Sequence, residues 1–321
     1  MVATMFKALQ KSLTFFLLAL CSFNTFAEES LSAKQILLKM PEAREKLSYE
    51  IAFVKTTPAN MDSLRYRHLH IDGKSYAQLV TLDGVQQEIV LRDNLVSYFQ
   101  PNFQPFTIHS AQIIDSLPAL MNANFERLEK YYDFVKMGRN RVANRLVQTI
   151  RILPKDDFRY QYVAFIDEEN HLLLQSDILD RDGNLLDQFR VVNLYIGDGL
   201  QGLAEYLENI VFPPLLIDKK EETAPTFHWQ TSWLPQGFVK INQAVGLDDE
   251  RHIESQLYSD GLFSFTLYVS DPIAEVNLDN TWKQGTYTIY SEMINGKEIT
   301  FVGQLPISTA KRIVQDIQFK K

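Results

Sequence analysis

The chain has 321 residues, of which 45% are hydrophobic and 22% are charged, and its formal net charge is −8. An acidic protein repels phosphate polyanions at long range, which argues against nucleic acid as its partner. The single cysteine, Cys21, excludes an intramolecular disulfide and any zinc site that needs several thiolates.

The first 27 residues have the pattern of a cleaved export signal. Lys7 and Lys11 precede an apolar run at 13–23 that is too short to span a bilayer, and small residues follow where signal peptidase would cut. We therefore expect cleavage after Ala27, which removes Cys21 and leaves a soluble, exported chain. A lipoprotein processed before Cys21 is the alternative, although the preceding residue is larger than lipid-attachment signals prefer.

Residues 28–212 are patterned mainly as strands, with helices at the edges of the region. A capping box at Ser32 starts a short amphipathic helix that Pro41 is expected to kink. A patch at 113–128 should form two short helices, and a last helix should end near residue 211. The strand-like runs lie at 49–54, 64–71, 76–82, 88–92 and 95–99, and near residues 134, 145, 160, 172 and 188.

About ten closely spaced strands with few helices predict an α+β fold that is mostly β, with a strongly curved antiparallel sheet or open barrel. The concave face of such a sheet needs an apolar cover, which the amphipathic helices would supply. We expect a hydrophobic ligand cavity beneath this lid, with plain core packing as the alternative. The candidate lid residues are Ile36, Leu37 and Met40, and the candidate cavity wall is Tyr49, Ile51 and Phe53.

Proline and charge interrupt the pattern after the last predicted helix. Pro213-Pro214 and a charged run at 218–222 place a linker at 213–225. Residues 226–321 are then predicted to form a smaller α+β domain with aromatic strands and a final helix at 308–319. At about 95 residues without disulfides, such a domain would lean on the larger one or on a partner.

One segment matches the spacing of a dinucleotide-binding loop. Gly197, Gly199 and Gly202 follow an apolar strand and open a helix. The strand closes a hairpin instead of starting a βαβ unit, and exported compartments lack free nicotinamide cofactor. We interpret the segment as a glycine-rich turn between a strand and a helix.

Histidines and arginines alternate along one predicted strand. His68 and His70 face the same way, so with His109 they could ligate a metal, but ordinary polar strand residues are the favoured interpretation. Arg65 and Arg67 point to the opposite face, where solvation is favoured over contact with lipid phosphates or partner carboxylates. No catalytic motif occurs, so we predict no catalytic residue, no cofactor, no metal and no enzymatic activity.

Sequence runs in both predicted domains resemble one protein family. They are SLRYRH at 63–68, DSLP at 115–118, YYDF at 131–134, LDRDG at 179–183, QFR at 188–190, WLPQGF at 233–238, YSDGLFS at 258–264, GQLP at 303–306 and TAKRI at 309–313. On these runs the chain resembles the MucB/RseB family, periplasmic negative regulators of the envelope-stress sigma factor, sigma-E. The likeness covers essentially the whole chain after the signal.

The resemblance implies a non-enzymatic periplasmic protein that binds the periplasmic domain of a membrane anti-sigma factor and shields it from a site-1 protease. It also implies a large domain similar in fold to lipoprotein carriers, which senses a lipid or lipopolysaccharide amphiphile, and a small domain that is the main grip on the partner. The candidate partner-facing or supporting residues are Trp233, Leu234, Phe238, Tyr258 and Phe263, with the small domain's own core as the alternative.

Two other functions stay open at this point. A carrier of lipids or lipoproteins would have the cavity but no anti-sigma partner, and the second domain argues against it. An exported oxidoreductase or hydrolase would bind a cofactor or turn over a substrate. Homo-oligomerisation is a further possibility that the sequence does not decide.

Overall fold

The computed structural model describes residues 31–216, 226–248, 251–272 and 280–319, so the predicted signal and most of the predicted linker lie outside the described residues. Two antiparallel sheets dominate these ranges: the large sheet, built by residues 49–196, and a six-stranded sheet within residues 226–319, a region called here the small module. In the described ranges, no helix is both long and apolar enough to cross a bilayer.

The large sheet has eleven strands. They are β1 (Tyr49–Thr56), β2 (Met61–Ile71), β3 (Lys74–Thr81), β4 (Glu88–Arg92), β5 (Leu95–Phe99), β6 (Phe106–His109), β7 (Tyr132–Val142), β8 (Arg145–Pro154), β9 (Gln161–Asp167), β10 (Leu173–Leu179) and β11 (Leu185–Ile196). Their order is β6-β5-β4-β3-β2-β1-β11-β10-β9-β8-β7, so β1 lies in the middle. The edge strands β6 and β7 are not paired with each other, so the sheet is open. The prediction of a mostly β fold with a large curved antiparallel sheet is confirmed.

One face of the large sheet carries the main core. On β1, Tyr49, Ile51 and Phe53 are buried, whereas Glu50 and Ala52 between them are partly exposed. Their partners on β2 are His68, Tyr66 and Leu64, which are buried as well. Because side chains alternate between the two faces of a sheet, this pairing places all six on the same face. The strand register therefore builds the core directly from the alternation in the sequence.

The described residues form four α-helices: α1 (Ala33–Lys46), α2 (Phe125–Leu128), α3 (Gln201–Asn209) and α4 (Ile307–Gln315). α1 contains Pro41 and packs against β7, α2 and a 3₁₀ turn at Ala119–Asn122. Asn124 caps α2 by accepting a hydrogen bond from the Arg127 amide at 3.0 Å. The predicted helical patch at 113–128 is thus a 3₁₀ turn and one short helix, because its first residues form an irregular loop.

α3 lies on the face of the large sheet opposite the main core. Leu203 and Leu207 pack there against Leu69, Tyr76 and Val90. This corrects the expectation that all the amphipathic helices cover the core-bearing face: residues 64, 66 and 68 of β2 point one way, and Leu69 points the other.

The small module adds eight strands and the last helix. Its strands are β12 (Trp229–Thr231), β13 (Val239–Asp248), β14 (Arg251–Ser259), β15 (Ser264–Ser270), β16 (Asn280–Gln284), β17 (Tyr287–Ile294), β18 (Lys297–Gly303) and β19 (Ile317–Phe319). Six of them form a sheet in the order β13-β14-β15-β18-β17-β16, and β12 pairs with β19. The predicted helix at 308–319 is too long, since α4 ends at Gln315 and residues 317–319 form a strand.

The first residues of the predicted linker hydrogen-bond to an edge strand of the large sheet. The Thr107 amide in edge strand β6 donates to the Pro214 carbonyl at 3.0 Å, and the Leu216 amide donates to the Thr107 carbonyl at 2.7 Å. The Thr107 hydroxyl also donates to the Pro213 carbonyl at 2.8 Å. This segment therefore satisfies part of an otherwise open sheet edge.

Candidate functional site at the contact between the large sheet and the small module

A buried ion pair joins the small module to the large sheet. Arg159 precedes β9 of the large sheet, and Asp260 lies in the turn between β14 and β15 of the small module. The Arg159 Nη1 lies 2.7 Å from the Asp260 Oδ2, and both side chains are 0% exposed. The Tyr132 hydroxyl donates to the same Asp260 oxygen at 2.6 Å. A charged residue from each part thus meets its partner out of contact with water.

The remaining polar atoms of this pair are also satisfied. The Arg159 Nη2 donates to Asp156 and to the Gln236 carbonyl of the small module, each at 2.6 Å. The Asp260 Oδ1 accepts the amides of Leu262 at 2.9 Å and Phe263 at 2.8 Å. We call Tyr132, Asp156, Arg159 and Asp260 the ion-pair network. Buried charges of this kind are stable only when they are paired and fully hydrogen-bonded.

Burial and the charge of Asp260 raise the pKa of Tyr132 well above its ordinary value. The phenol therefore stays protonated at neutral pH and continues to donate to the carboxylate. The Arg159 guanidinium also lies over the rings of Tyr132 and Phe238, 5.2 and 5.3 Å from their centroids. Cation–π contacts add to the attraction where water is excluded.

Aromatic side chains extend the contact on both sides of the network. Phe158 meets Trp233 edge to face, with centroids 4.8 Å apart, and Arg312 lies 3.8 Å above the Trp233 ring. On the other side, Phe263 stacks on Tyr162 with centroids 5.2 Å apart. Such pairs contribute about 0.5–1.5 kcal/mol each beyond the area that they bury. The contact is therefore extensive and specific.

A cavity of about 520 Å³ lies beside this contact, on the core-bearing face of the large sheet. Its floor includes Tyr162, Ile178 and Phe189, and the loop 112–122 lies over it. The small module closes one end with the residues Gly261, Ser264, Tyr287 and Gln304. This volume falls within the range of small-molecule sites. We call it the inter-module cavity.

Three side chains that carry a charge in their ordinary state at neutral pH line the inter-module cavity: Lys55, Asp115 and Asp187. Asp115 accepts a hydrogen bond from the Tyr98 hydroxyl at 2.8 Å. Burial raises the pKa of Asp187, and the nearby charge of Lys55 opposes this shift. The cavity thus combines an apolar floor with polar groups that would orient an amphiphilic ligand.

A second, more polar cavity of about 390 Å³ lies on the same face, towards the end of α1. Arg44, His68 and Lys74 line it, and Gln112 borders both cavities. Burial lowers the pKa of His68 to about 4, partly offset by its 2.8 Å hydrogen bond to the Leu47 carbonyl. His68 is therefore a neutral, buried residue at pH 7.

The structure places the candidate partner-facing residues at two depths. Trp233 and Leu234 are half-buried at the edge of the contact. Phe238, Tyr258 and Phe263 are buried; the first two pack on Phe265 in the small module, and Phe263 packs on the large sheet. In this arrangement Phe238, Tyr258 and Phe263 are not exposed at the protein surface.

The six candidate lid and cavity-wall residues are all buried, and none of them lines either cavity. Ile36, Leu37 and Met40 lie within α1, while Tyr49, Ile51 and Phe53 belong to the main core. The roof of the inter-module cavity is the loop 112–122, which overlaps the predicted helical patch at 113–128 but contains none of the candidate lid residues. Arg159 and Asp260 were also missed as a pair. Arg159 lies between two aromatic residues and Asp260 lies within the run YSDGLFS at 258–264, but no sequence pattern links the two positions.

The other sequence motifs have local structural roles. The glycine turn folds around Tyr195, whose hydroxyl accepts the Gly199 amide at 3.2 Å. Arg67 forms an ion pair with Glu50 at 3.0 Å. Among the residues that the structure describes, no three histidine, cysteine or acidic side chains are grouped closely enough to hold a metal ion.

Comparison with known proteins matches both parts of the chain. Family models match at residues 32–216 (MucB/RseB N-terminal domain) and 223–318 (MucB/RseB C-terminal domain). The chain is 61% identical over 303 residues to the sigma-E factor regulatory protein RseB of Haemophilus influenzae, covering 94% of this chain and 96% of the relative. It is 39% identical over 300 residues to RseB of Escherichia coli K12, covering 92% and 94%.

Solved structures show the same fold. The crystal structure of MucB in complex with MucA(peri) has a TM-score of 0.72 at 23% identity, covering 90% of this chain and 100% of that one. The complex structure of Pseudomonas aeruginosa MucA/MucB has a TM-score of 0.73 at 24% identity, covering 90% and 99%. The arrangement of both sheets is therefore shared at low sequence identity.

Proposed function

The chain belongs to the MucB/RseB family of regulatory binding proteins, and from this premise we propose that it binds the periplasmic domain of a transmembrane anti-sigma factor and shields it from site-1 proteolysis. The observation that carries the proposal is the 61% identity to an RseB over 94% of the chain, which includes both the large sheet and the small module. We propose the periplasm as its location, with cleavage of residues 1–27. No catalytic step is part of this function.

We propose that residues 226–321, which include the small module, provide the main grip on the partner, and that residues 28–212 form a separate domain joined to them by 213–225. Trp233 and Leu234 are the half-buried candidates for direct contact, and the buried Phe238, Tyr258 and Phe263 would hold them in place. Aromatic side chains at a partly desolvated edge commonly dominate the binding energy of an interface.

Removal of residues 226–321 tests the grip, with binding to the periplasmic segment of the cognate anti-sigma factor measured by calorimetry. Loss of binding is expected, and undiminished binding would contradict the assignment. A sharper test is Trp233→Ala, for which we expect a loss of about 2 kcal/mol, or roughly 30-fold in affinity. Trp282 is the matched control, because it is a 48% exposed tryptophan on a different strand of the same module, β16.

We further propose that a lipid or lipopolysaccharide amphiphile binds in the inter-module cavity and releases the partner. Its support is that residues of both parts line this cavity, so that a ligand there would contact both. Ligand and partner affinities are then linked, and a coupling of about 1–3 kcal/mol changes partner affinity roughly 5- to 150-fold.

The release step is tested by titrating purified lipopolysaccharide into the complex. Weaker partner binding is expected, together with faster cleavage by the site-1 protease. An unchanged affinity would remove the sensing role and leave the shielding role intact. A pure lipid carrier, the second candidate function, would bind the amphiphile with no effect on any partner.

A further inference from the structure

Two short segments carry both the buried ion pair and part of the inter-module cavity. In the large sheet, Arg159 lies three residues before Tyr162, whose ring lines the cavity. In the small module, Asp260 is followed by Gly261 and Ser264, which line the same cavity. The two segments also meet directly, since Tyr162 stacks on Phe263. The cavity lining therefore lies three residues from Arg159 in the large sheet and directly next to Asp260 in the small module.

We propose that Arg159 and Asp260 are positioning residues that hold the small module in one orientation against the large sheet. The proposal that they also transmit ligand binding to the partner-binding surface rests on the proposed function above. The role of the two residues in holding the orientation follows from the geometry alone. Arg159 donates to Asp260, to Asp156 and to the Gln236 carbonyl, so it bonds with both parts of the protein at once.

The ion-pair network restricts the orientation because its hydrogen bonds are directional and, at this buried contact, no water can replace them. Apolar packing tolerates a small rotation of one surface on another, whereas buried hydrogen bonds lose their energy steeply with angle. Rotation of the small module would separate the Asp260 carboxylate from Arg159 and Tyr132 and leave it only the amides of its own turn, which costs more than the loss of an exposed ion pair. The orientation is therefore narrowly defined while the network is intact.

The test uses Asp260→Asn, which is nearly isosteric. The remaining oxygen can still accept the Leu262 and Phe263 amides, so the turn is preserved, but the charge opposite Arg159 is lost. The matched control is Asp271→Asn, which removes an exposed ion pair with Lys297 in the same module. Circular dichroism checks that the strand content of each variant is retained.

The readout is the distance between two spin labels, measured by electron–electron double resonance. With Cys21 replaced by serine, the chain has no native cysteine, and Leu146 and Ala244 are exposed label sites on the two parts. We expect one narrow distance distribution in the parent and in Asp271→Asn, and a broad or shifted one in Asp260→Asn. A narrow, unchanged distribution in Asp260→Asn would overturn the proposal.

A second variant keeps the test decisive if Asp260→Asn unfolds. The double variant Arg159→Met, Asp260→Asn removes both charges of the fully buried pair. Asp156 keeps its charge, but its side chain is 21% exposed and still accepts the Phe158 amide. We expect it to fold with a broadened distance distribution, because methionine packs without direction. A narrow distribution at the parent distance would show that packing alone sets the orientation, against the proposal.

Transmission is measured separately from orientation. In Asp260→Asn we expect lipopolysaccharide to change partner affinity by less than about twofold, against roughly 5- to 150-fold for the parent. A parent-like change in a variant with a broadened distribution would refute transmission through these residues. If the parent itself binds no partner, the proposed function fails, while the distance result on the free protein still decides the positioning role.

Discussion

Replacing Gly237 with alanine tests the docking of the small module at a single backbone position. Gly237 has a φ of +90°, which side chains of L-residues rarely adopt. A Cβ there would lie 2.7–3.0 Å from three ring atoms of Tyr131, which belongs to the large-sheet side of the contact. The substitution therefore adds backbone strain and a clash between the two parts of the protein.

A control variant separates the two costs of Gly237→Ala, the backbone strain and the clash with Tyr131. Gly183 has a φ of +85° in the hairpin between β10 and β11, and a Cβ there would meet nothing within 4 Å. Gly183→Ala should cost only the backbone strain, about 1–2 kcal/mol. Gly237→Ala should cost this amount plus about 1–3 kcal/mol for the overpacked contact. The difference between the two variants measures the contact with Tyr131.

Urea unfolding followed by fluorescence and circular dichroism provides the assay. All three tryptophans, Trp229, Trp233 and Trp282, lie in the small module, so their fluorescence reports this part of the chain. Trp233 also contacts Phe158 of the large-sheet side, so undocking should alter its emission. Equal costs for Gly183→Ala and Gly237→Ala, with unchanged emission, would refute the reasoning.

Three further predictions concern stability. His68 has a pKa of about 4 in the folded state against 6.5 for the free side chain. As the pH drops from about 6.5 to 4, the unfolded chain takes up the proton first, so the free energy of unfolding falls. His68→Gln should remove about 3 kcal/mol of that loss, measured by urea unfolding at both pH values. Asp187 has a raised pKa, so Asp187→Asn should increase the free energy of unfolding at pH 7. This gain should vanish below the ordinary carboxyl pKa of 3.8, where Asp187 is protonated in both states. A gain that persists at such a pH would contradict burial of the charge as its cause. Gly303→Ala would place a Cβ against the Cβ of Phe265 and should lower the free energy of unfolding by about 3 kcal/mol or more. Gly246→Ala is the control, because a Cβ there would meet nothing within 4 Å. Similar midpoints of thermal unfolding for the two variants would show that β15 and β18 can separate freely.

Much of the large sheet follows from local sequence. The alternation of apolar residues at Tyr49, Ile51 and Phe53 predicts a strand with one buried face, and the structure has this face in the main core. Turn sequences such as Asp72-Gly73 mark the hairpins, and Gly73 has a φ of +73°. Edge strands were harder to predict: β13 carries exposed polar and apolar residues without clear alternation, because few of its side chains meet a core.

The sequence by itself determined the antiparallel strand pattern and the family, and it predicts an export signal, because these depend on residues close together along the chain. Only the tertiary structure decided which face each helix covers and which residues line the cavities. The same holds for Arg159 and Asp260, which are 101 positions apart and resemble ordinary charged loop residues in the sequence. Their burial and their pairing arise only when the small module docks on the large sheet, and no local pattern encodes that contact.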